Sequence, residues 1–479
     1  MVGVHVILDI VPQRIDPAAW ADAFEETLLL LRAHPARLLG YGFRLVAGVR
    51  VPVFTRSVEQ GGQDPAERRW CVVGDRATLG TGERQRMYRD LGRYLARFPV
   101  VQDAVRPIND GDEDILRWIG VSAREGAPAT VRVFGEGDQS EPCRLGLLAA
   151  AMVVETRFPR HAVVSGSFDR QHAETARRWA KGVLERSITL PVRVDAWRLV
   201  ERLGARLTGE ALVREVDRLY LAPPGPREAA LLGVFGRTEA EPWLAGKLRE
   251  HASPDEAGAL HAVAAYLEHT RDLARLAGLA CLDARGPRWP PEAFVAALAA
   301  LGKAHGFQAR PRVDPAALDH ALRAVFGEAA PRLEATFRAA LRSPVPASGA
   351  LDEAAHEPPS IDALTAAGSP GELDPARRQM IHRLAHTVRD LRHRVEDHRG
   401  PASVGAARRT VASLLARAGP TLTEDAWEWI DREDDPDLCA FLATLAAVEP
   451  ADAEATAVRR VLLENRALCR YAAGVSRDR

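Results

Sequence analysis

HAVVSGSFDRQHAETARRW, residues 161–179, passes from a short apolar run through Ser-Gly-Ser into a segment with helical spacing. A brief apolar run closed by glycine and serine reads as a buried strand, and Asp169 offers an N-cap for the helix that follows. The same alternation continues on both sides. ATVRVFG (129–135) reads as a strand, and EPCRLGLLAAAMVVETRF (141–158) as a helix apolar enough to be largely buried. ITLPVRV (188–194) reads as a third strand. A β-α-β-α-β run of this kind favours a parallel sheet with right-handed crossovers.

Upstream, VHVILDIV (4–11) is rich in β-branched residues and reads as a strand. Asp16-Pro17 supplies an N-cap and a first-turn proline, and Trp20, Phe24, Leu28 and Leu31 then form one helical stripe. YGFRLVAGVRVPVFTR (41–56) reads as a hairpin turning at Ala47-Gly48, and RRWCVVGD (68–75) as a further strand. Met87, Leu91, Tyr94 and Phe98 have the spacing of a second amphipathic helix. Beyond Asp195 the strand signals stop. Asp-Pro recurs at Asp16, Asp64, Asp314, Asp374 and Asp435, a capping device rather than a repeated catalytic group.

The expected fold is therefore mixed α/β and α+β. It comprises an α+β module (1–110), an α/β unit (111–195) and a helical region packed on it (196–342). A Pro/Ala/Ser/Gly linker (343–373) and a C-terminal helical domain (374–479) follow.

Acidic and basic residues nearly cancel, 65 against 64, which speaks against a dedicated nucleic-acid binder. Only Lys181, Lys247 and Lys303 are lysines; with abundant alanine and glycine, this points to the coding bias of a GC-rich bacterial genome. The five cysteines stand far apart with no Cys-x-x-Cys pair, so reduced thiols in a cytoplasmic protein are expected. MVGVHVILDI lacks the pattern of a signal peptide, and no apolar stretch has the length of a membrane span.

The strand end at Ser165, Gly166 and Ser167 faces the start of a helix capped by Asp169, beside Asp138 and His172. With open sheets binding ligands at such crevices, these six residues are the candidate anion site. The catalytic signatures are incomplete. Val-Val-Ser-Gly-Ser is not a nucleophile elbow, and no lysine sits in a Gly-Lys-Ser/Thr phosphate loop. His172-x-Glu174 lacks the downstream Pro-Cys-x-x-Cys of zinc deaminases. Asp110, Asp112 and Asp114 have the alternation of a calcium loop, but Ile115 and Val121 stand where glycine and glutamate belong. They read as a solvated helix start.

His382, His386, Asp390, His393 and Asp397 run along one helical face, with Ile381, Leu384, Val388, Leu391 and Val395 on another. The three histidines are weak metal candidates; the expectation is a row facing solvent or a partner, with no metal or cofactor. The leading functional expectation is a non-catalytic bacterial cytosolic protein-binding protein, an immunity, regulatory or defence-associated component, with another protein as partner. The alternative is an enzyme or sensor holding a small phosphate-bearing ligand in the crevice at the strand ends.

Overall fold

The computed structural model describes residues 5–62, 64–76, 81–95, 114–119, 130–135, 137, 139, 141–222, 224–235, 237–301, 315–342, 375–396, 403–450 and 452–477. The chain divides into two compact units, Met1–Leu190 with His356–Arg479, and Pro191–Ala355. The architecture is mixed α and β, as the sequence leads one to expect. The residues after 374 fold with the N-terminal strands. The proposed linker lies outside the described residues.

The first strand, β1 (Val6–Ile10), buries every second side chain, with Val6, Leu8 and Ile10 wholly enclosed. Helix α1 (Pro17–Arg32) follows, its Asp16 side chain accepting from the Ala19 amide at 2.8 Å. Trp20, Phe24, Leu28 and Leu31 form the buried stripe that their spacing implies. Each such side chain contributes about 1.5–3 kcal/mol when taken out of water. Strands β2 (Leu38–Val46) and β3 (Val49–Thr55) make the hairpin. Ala47 and Gly48 both have positive φ, the backbone of a tight turn that matches strand twist.

Strands β4 (Glu59–Gln60), β5 (Arg69–Asp75) and β6 (Thr81–Tyr88) extend this sheet. The stretch expected to begin an amphipathic helix is thus largely strand. Gln85 and Met87 are buried while Arg84 and Arg86 are exposed, so period two prevails over the three- and four-residue spacing. Only α2 (Gly92–Leu95) is helical, and Phe98 lies outside the described residues. Asp114 is buried and caps a short 3-10 turn through the Leu116 amide, so its surroundings are not solvent. Asp110 and Asp112 lie outside the described residues.

Strand β7 (Val131–Phe134), helix α3 (Glu141–Arg157), strand β8 (Ala162–Gly166) and helix α4 (Arg170–Leu184) follow as read. Their neighbours differ from expectation. β1 lies between β7 and β8, antiparallel to both, so the two later strands run the same way without touching. The third expected strand is a 3-10 turn at Val192–Val194, preceded by Pro191, which has no amide to give a ladder. Its Ile188, Leu190, Val192 and Val194 are buried all the same. Helix α3 is enclosed along Leu147–Val154, and α1 packs on it.

The second sheet receives its last strand from the far end of the chain: β9 (Leu422–Thr423) pairs parallel with Val53 and Phe54. Helices Pro375–Glu396, Val404–Ala418, Glu424–Arg432, Pro436–Ala447, Ala453–Glu464 and Arg466–Arg477 share one apolar core with Val46, Val51 and Val53 of the hairpin. The unit Pro191–Ala355 is helical, from Ala196–Gly204 to Ala330–Arg342. Among the described residues no helix is long and apolar enough to cross a membrane.

Several polar groups inside the first unit join its elements. Trp70 Nε1 donates to Thr27 Oγ1 at 2.9 Å, and Trp20 Nε1 to the Tyr88 carbonyl at 3.0 Å. Glu26 on α1 takes Arg157 from the end of α3 and Arg186 from beyond α4. Burial works to raise the Glu26 pKa, but the hydrogen bonds from both guanidiniums outweigh it and hold the carboxyl at about 2. Because that lies below the ordinary 4.5, its contribution is complete above about 4.5 and is lost as pH falls through about 2. Glu26→Gln is expected to lower stability by about 1–2 kcal/mol at neutral pH. It should also flatten the acid limb of urea-unfolding stability; an unchanged limb would remove Glu26 as its source.

Candidate functional site

The strand–helix junction brings together the sequence-predicted residues Ser165, Gly166, Ser167, Asp169 and His172, and their bonds serve the fold. Ser165 is buried at the end of β8, opposite Ile7 of β1. Gly166 has φ +129, and a Cβ there would lie 1.9 Å from the His5 carbonyl oxygen. Ser167 closes on the same residue twice, its amide donating to the His5 carbonyl and its Oγ accepting from the His5 amide, both at 2.9 Å. Asp169 caps α4 by accepting from the His172 amide at 2.8 Å, while His172 Nδ1 accepts from the Asp169 amide. Phe168 is buried beside them. Across the sheet, the Gln139 side chain grips Val6, accepting from its amide and donating to its carbonyl. Asp138 lies outside the described residues.

The histidine helix is half covered rather than turned to solvent. Ile381, Leu384 and Val388 are buried as expected, but His382 Nε2 meets Tyr471 Oη at 2.6 Å on the neighbouring helix. His386 is half-buried, and Asp390 is exposed. His382 departs from the solvent reading because the helix lies among three others, which leaves it more than one covered side. The His393 side chain and Asp397 lie outside the described residues. Among the described residues no three His, Cys, Asp or Glu side chains come close enough to hold a metal. The five cysteines are buried, and burial pushes the thiols of Cys71, Cys439 and Cys469 up and that of Cys281 to about 12. None of these four is poised as a thiolate.

A different place has the character of a binding site. β6 and β7 line an open cavity of about 540 Å³. Arg84 and Arg86 come from β6, and Arg132 from β7. Tyr41, Phe54, Val73 and Phe134 give it apolar walls, and Thr421 closes one side. The Arg84 guanidinium lies 4.1 Å from the centre of the Tyr41 ring, within cation–π range. Arg132 reaches Asp9 at 3.2 Å. Arg84 and Arg86 have no ion pair among the described residues; Arg86 lies 5.8 Å from the Tyr88 ring. The lining carries one carboxylate, Glu83, and no histidine, cysteine or serine. It can receive a carboxylate or phosphate in the bidentate manner of arginine.

A second cavity, of about 320 Å³, is lined by Arg32, Arg37, Arg56 and Arg76, but three of these have duties. Arg32 pairs with Glu59, while Arg56 and Arg76 close on the two oxygens of Asp425. That cluster fastens the C-terminal helices to the sheet. The 540 Å³ cavity escapes sequence reading because its lining comes from five strands and from residue 421. Its one linear signal is Arg84-x-Arg86 alternating with Gln85 and Met87.

If the junction is structural, Gly166→Ala should cost about 2 kcal/mol through strain and the clash with His5. Ser167→Ala should cost about 0.5–1 kcal/mol, the worth of one exposed hydrogen bond. Both are read from thermal unfolding, where added inorganic phosphate should leave the wild-type midpoint unmoved. A phosphate-dependent rise lost in Ser167→Ala would restore the crevice as a ligand site.

Comparison of the chain with protein-family models, with curated proteins and with solved structures returned no match.

Proposed function

We propose that the chain is a non-catalytic binding protein that receives a carboxylate-bearing partner protein at the cavity of Arg84, Arg86 and Arg132. The observation that supports this is the contrast among arginines of one unit. Arg56, Arg68, Arg76, Arg157 and Arg186 are each engaged with a carboxylate of their own chain. Arg84 and Arg86 are exposed, stand on adjacent same-face positions of β6 and have no such partner among the described residues. Two like charges about 7 Å apart repel each other, and an incoming anion relieves that repulsion while forming charge-assisted hydrogen bonds. With no serine, cysteine or histidine in the lining, retention is favoured over turnover.

A second reading has its own support. About 540 Å³ is within the usual volume of small-molecule sites, so a small phosphate- or carboxylate-bearing ligand fits the same place. The anionic-ligand alternative rests on this cavity better than on the strand end at Ser165, whose neighbours are bound to His5 and to the cap of α4.

The test is an affinity capture with the full chain and with Arg84→Glu/Arg86→Glu, followed by quantitative mass spectrometry and native mass measurement. Both side chains are exposed, so the variant should unfold within about 0.5 kcal/mol of wild type. Recovery of the partner protein should fall by about tenfold or more, the loss of about 1.4 kcal/mol or more of binding. Equal recovery on both baits sinks the assignment. A small mass carried by wild type alone, with no protein lost, selects the second reading.

A further inference from the structure

The hairpin face beside the cavity narrows the partner's chemistry. Strand alternation puts Tyr41, Phe43 and Leu45 of β2 on one face at intervals of about 7 Å. Phe43 is 54% exposed and Leu45 71% exposed. The opposite face of the same hairpin is covered, since Val46, Val51 and Val53 lie in the C-terminal core. Leu45 stands opposite Arg50 of β3, and the Arg50 guanidinium sits 4.1 Å from the centre of the Phe43 ring. An apolar strip with arginines on its flank thus leads along β2 from the turn to the cavity, which Tyr41 joins.

Resting on the cavity reading, we infer that strip and cavity form one groove for an extended acidic segment of a partner protein. Its apolar residues would cover Phe43 and Leu45, and its carboxylates would meet Arg50, Arg84 and Arg86. Charge complementarity selects the acid, and the exposed Phe43 and Leu45 select the apolar neighbour. The cation–π stacking disfavours nucleic acid. Tyr41 and Phe43 each already carry a guanidinium over the ring, and they meet edge to face, with planes 82° apart. A base would have to displace an arginine from either ring before stacking on it.

A random library of peptides about 12 residues long, displayed on phage, is selected on the full chain; at about 3.4 Å per residue such peptides exceed the strip. The best synthetic peptide is then titrated by fluorescence anisotropy against wild type, Phe43→Ser/Leu45→Ser and Arg84→Glu/Arg86→Glu. The enriched peptides should be acidic with apolar residues among the acids, and each double variant should weaken binding about tenfold or more. Loss in the arginine variant alone overturns the strip and leaves the cavity reading standing. No loss in the arginine variant overturns both. An empty selection, or enrichment of peptides without acids, overturns the groove. So does tighter binding of a labelled oligothymidylate, or a wild-type dimer that Phe43→Ser/Leu45→Ser dissolves.

Discussion

Two residues from the far end of the chain, Leu422 and Thr423, lie parallel to Val53 and Phe54 and close the second sheet. The pairing is short, so it depends on what fixes it. Glu464, largely buried, accepts from the Thr423 amide at 2.9 Å and pairs with the Thr423 hydroxyl. Asp425, two residues further on, is held between Arg56 and Arg76. The Arg56 amide donates to Glu424 at 2.9 Å. With the returning chain pinned here, the C-terminal helices settle over Val46, Val51 and Val53, and one face of the hairpin is buried. A hairpin alone is marginal in water and needs one face packed. Which face is covered also determines which is left to water, and the open one carries Tyr41, Phe43 and Leu45.

Arginine serves two purposes in this unit. Most guanidiniums join elements, as Arg157 and Arg186 do when they converge on Glu26 from α3 and from beyond α4. Exposed pairs of this kind contribute modestly, typically below about 1 kcal/mol, but shared carboxylates fix the relative angle of elements. The residues around the cavity depart from that economy. Arg84 and Arg86 rest beside aromatic rings, which limits rotamer freedom without using up the hydrogen-bond donors. Such side chains lose less entropy when an anion arrives.

Periodicity made much of the fold legible. The stripe of Trp20, Phe24, Leu28 and Leu31 and the alternation of VILDI identify α1 and β1, and Asp16-Pro17 and Asp435-Pro436 start helices where a cap with proline should. Strand order was not legible, because β-α-β spacing does not say that a strand over a hundred residues earlier will lie between the two. Residues 81–88 misled because Met87, Leu91 and Tyr94 mimic a helical stripe across a strand and the turn after it. ITLPVRV misled because apolar burial was taken for a ladder that Pro191 cannot join. The Ser165 junction was located correctly, though neither its closure on His5 nor the cavity could be seen, since both need distant segments in contact.

The discontinuous first unit also bears on synthesis. Arg56 and Glu424 are 368 residues apart, so the second sheet cannot be completed until residues 422–424 have left the ribosome. Until then Val46, Val51 and Val53 lack their cover, and the nascent hairpin shows apolar side chains on both faces. Closing a flexible loop of that length costs about 5 kcal/mol of chain entropy. The helical unit Pro191–Ala355 lies wholly inside that interval and emerges first. A compact body spans far less than the same residues unfolded, so its early folding shortens the tether before the C-terminal helices search for the sheet.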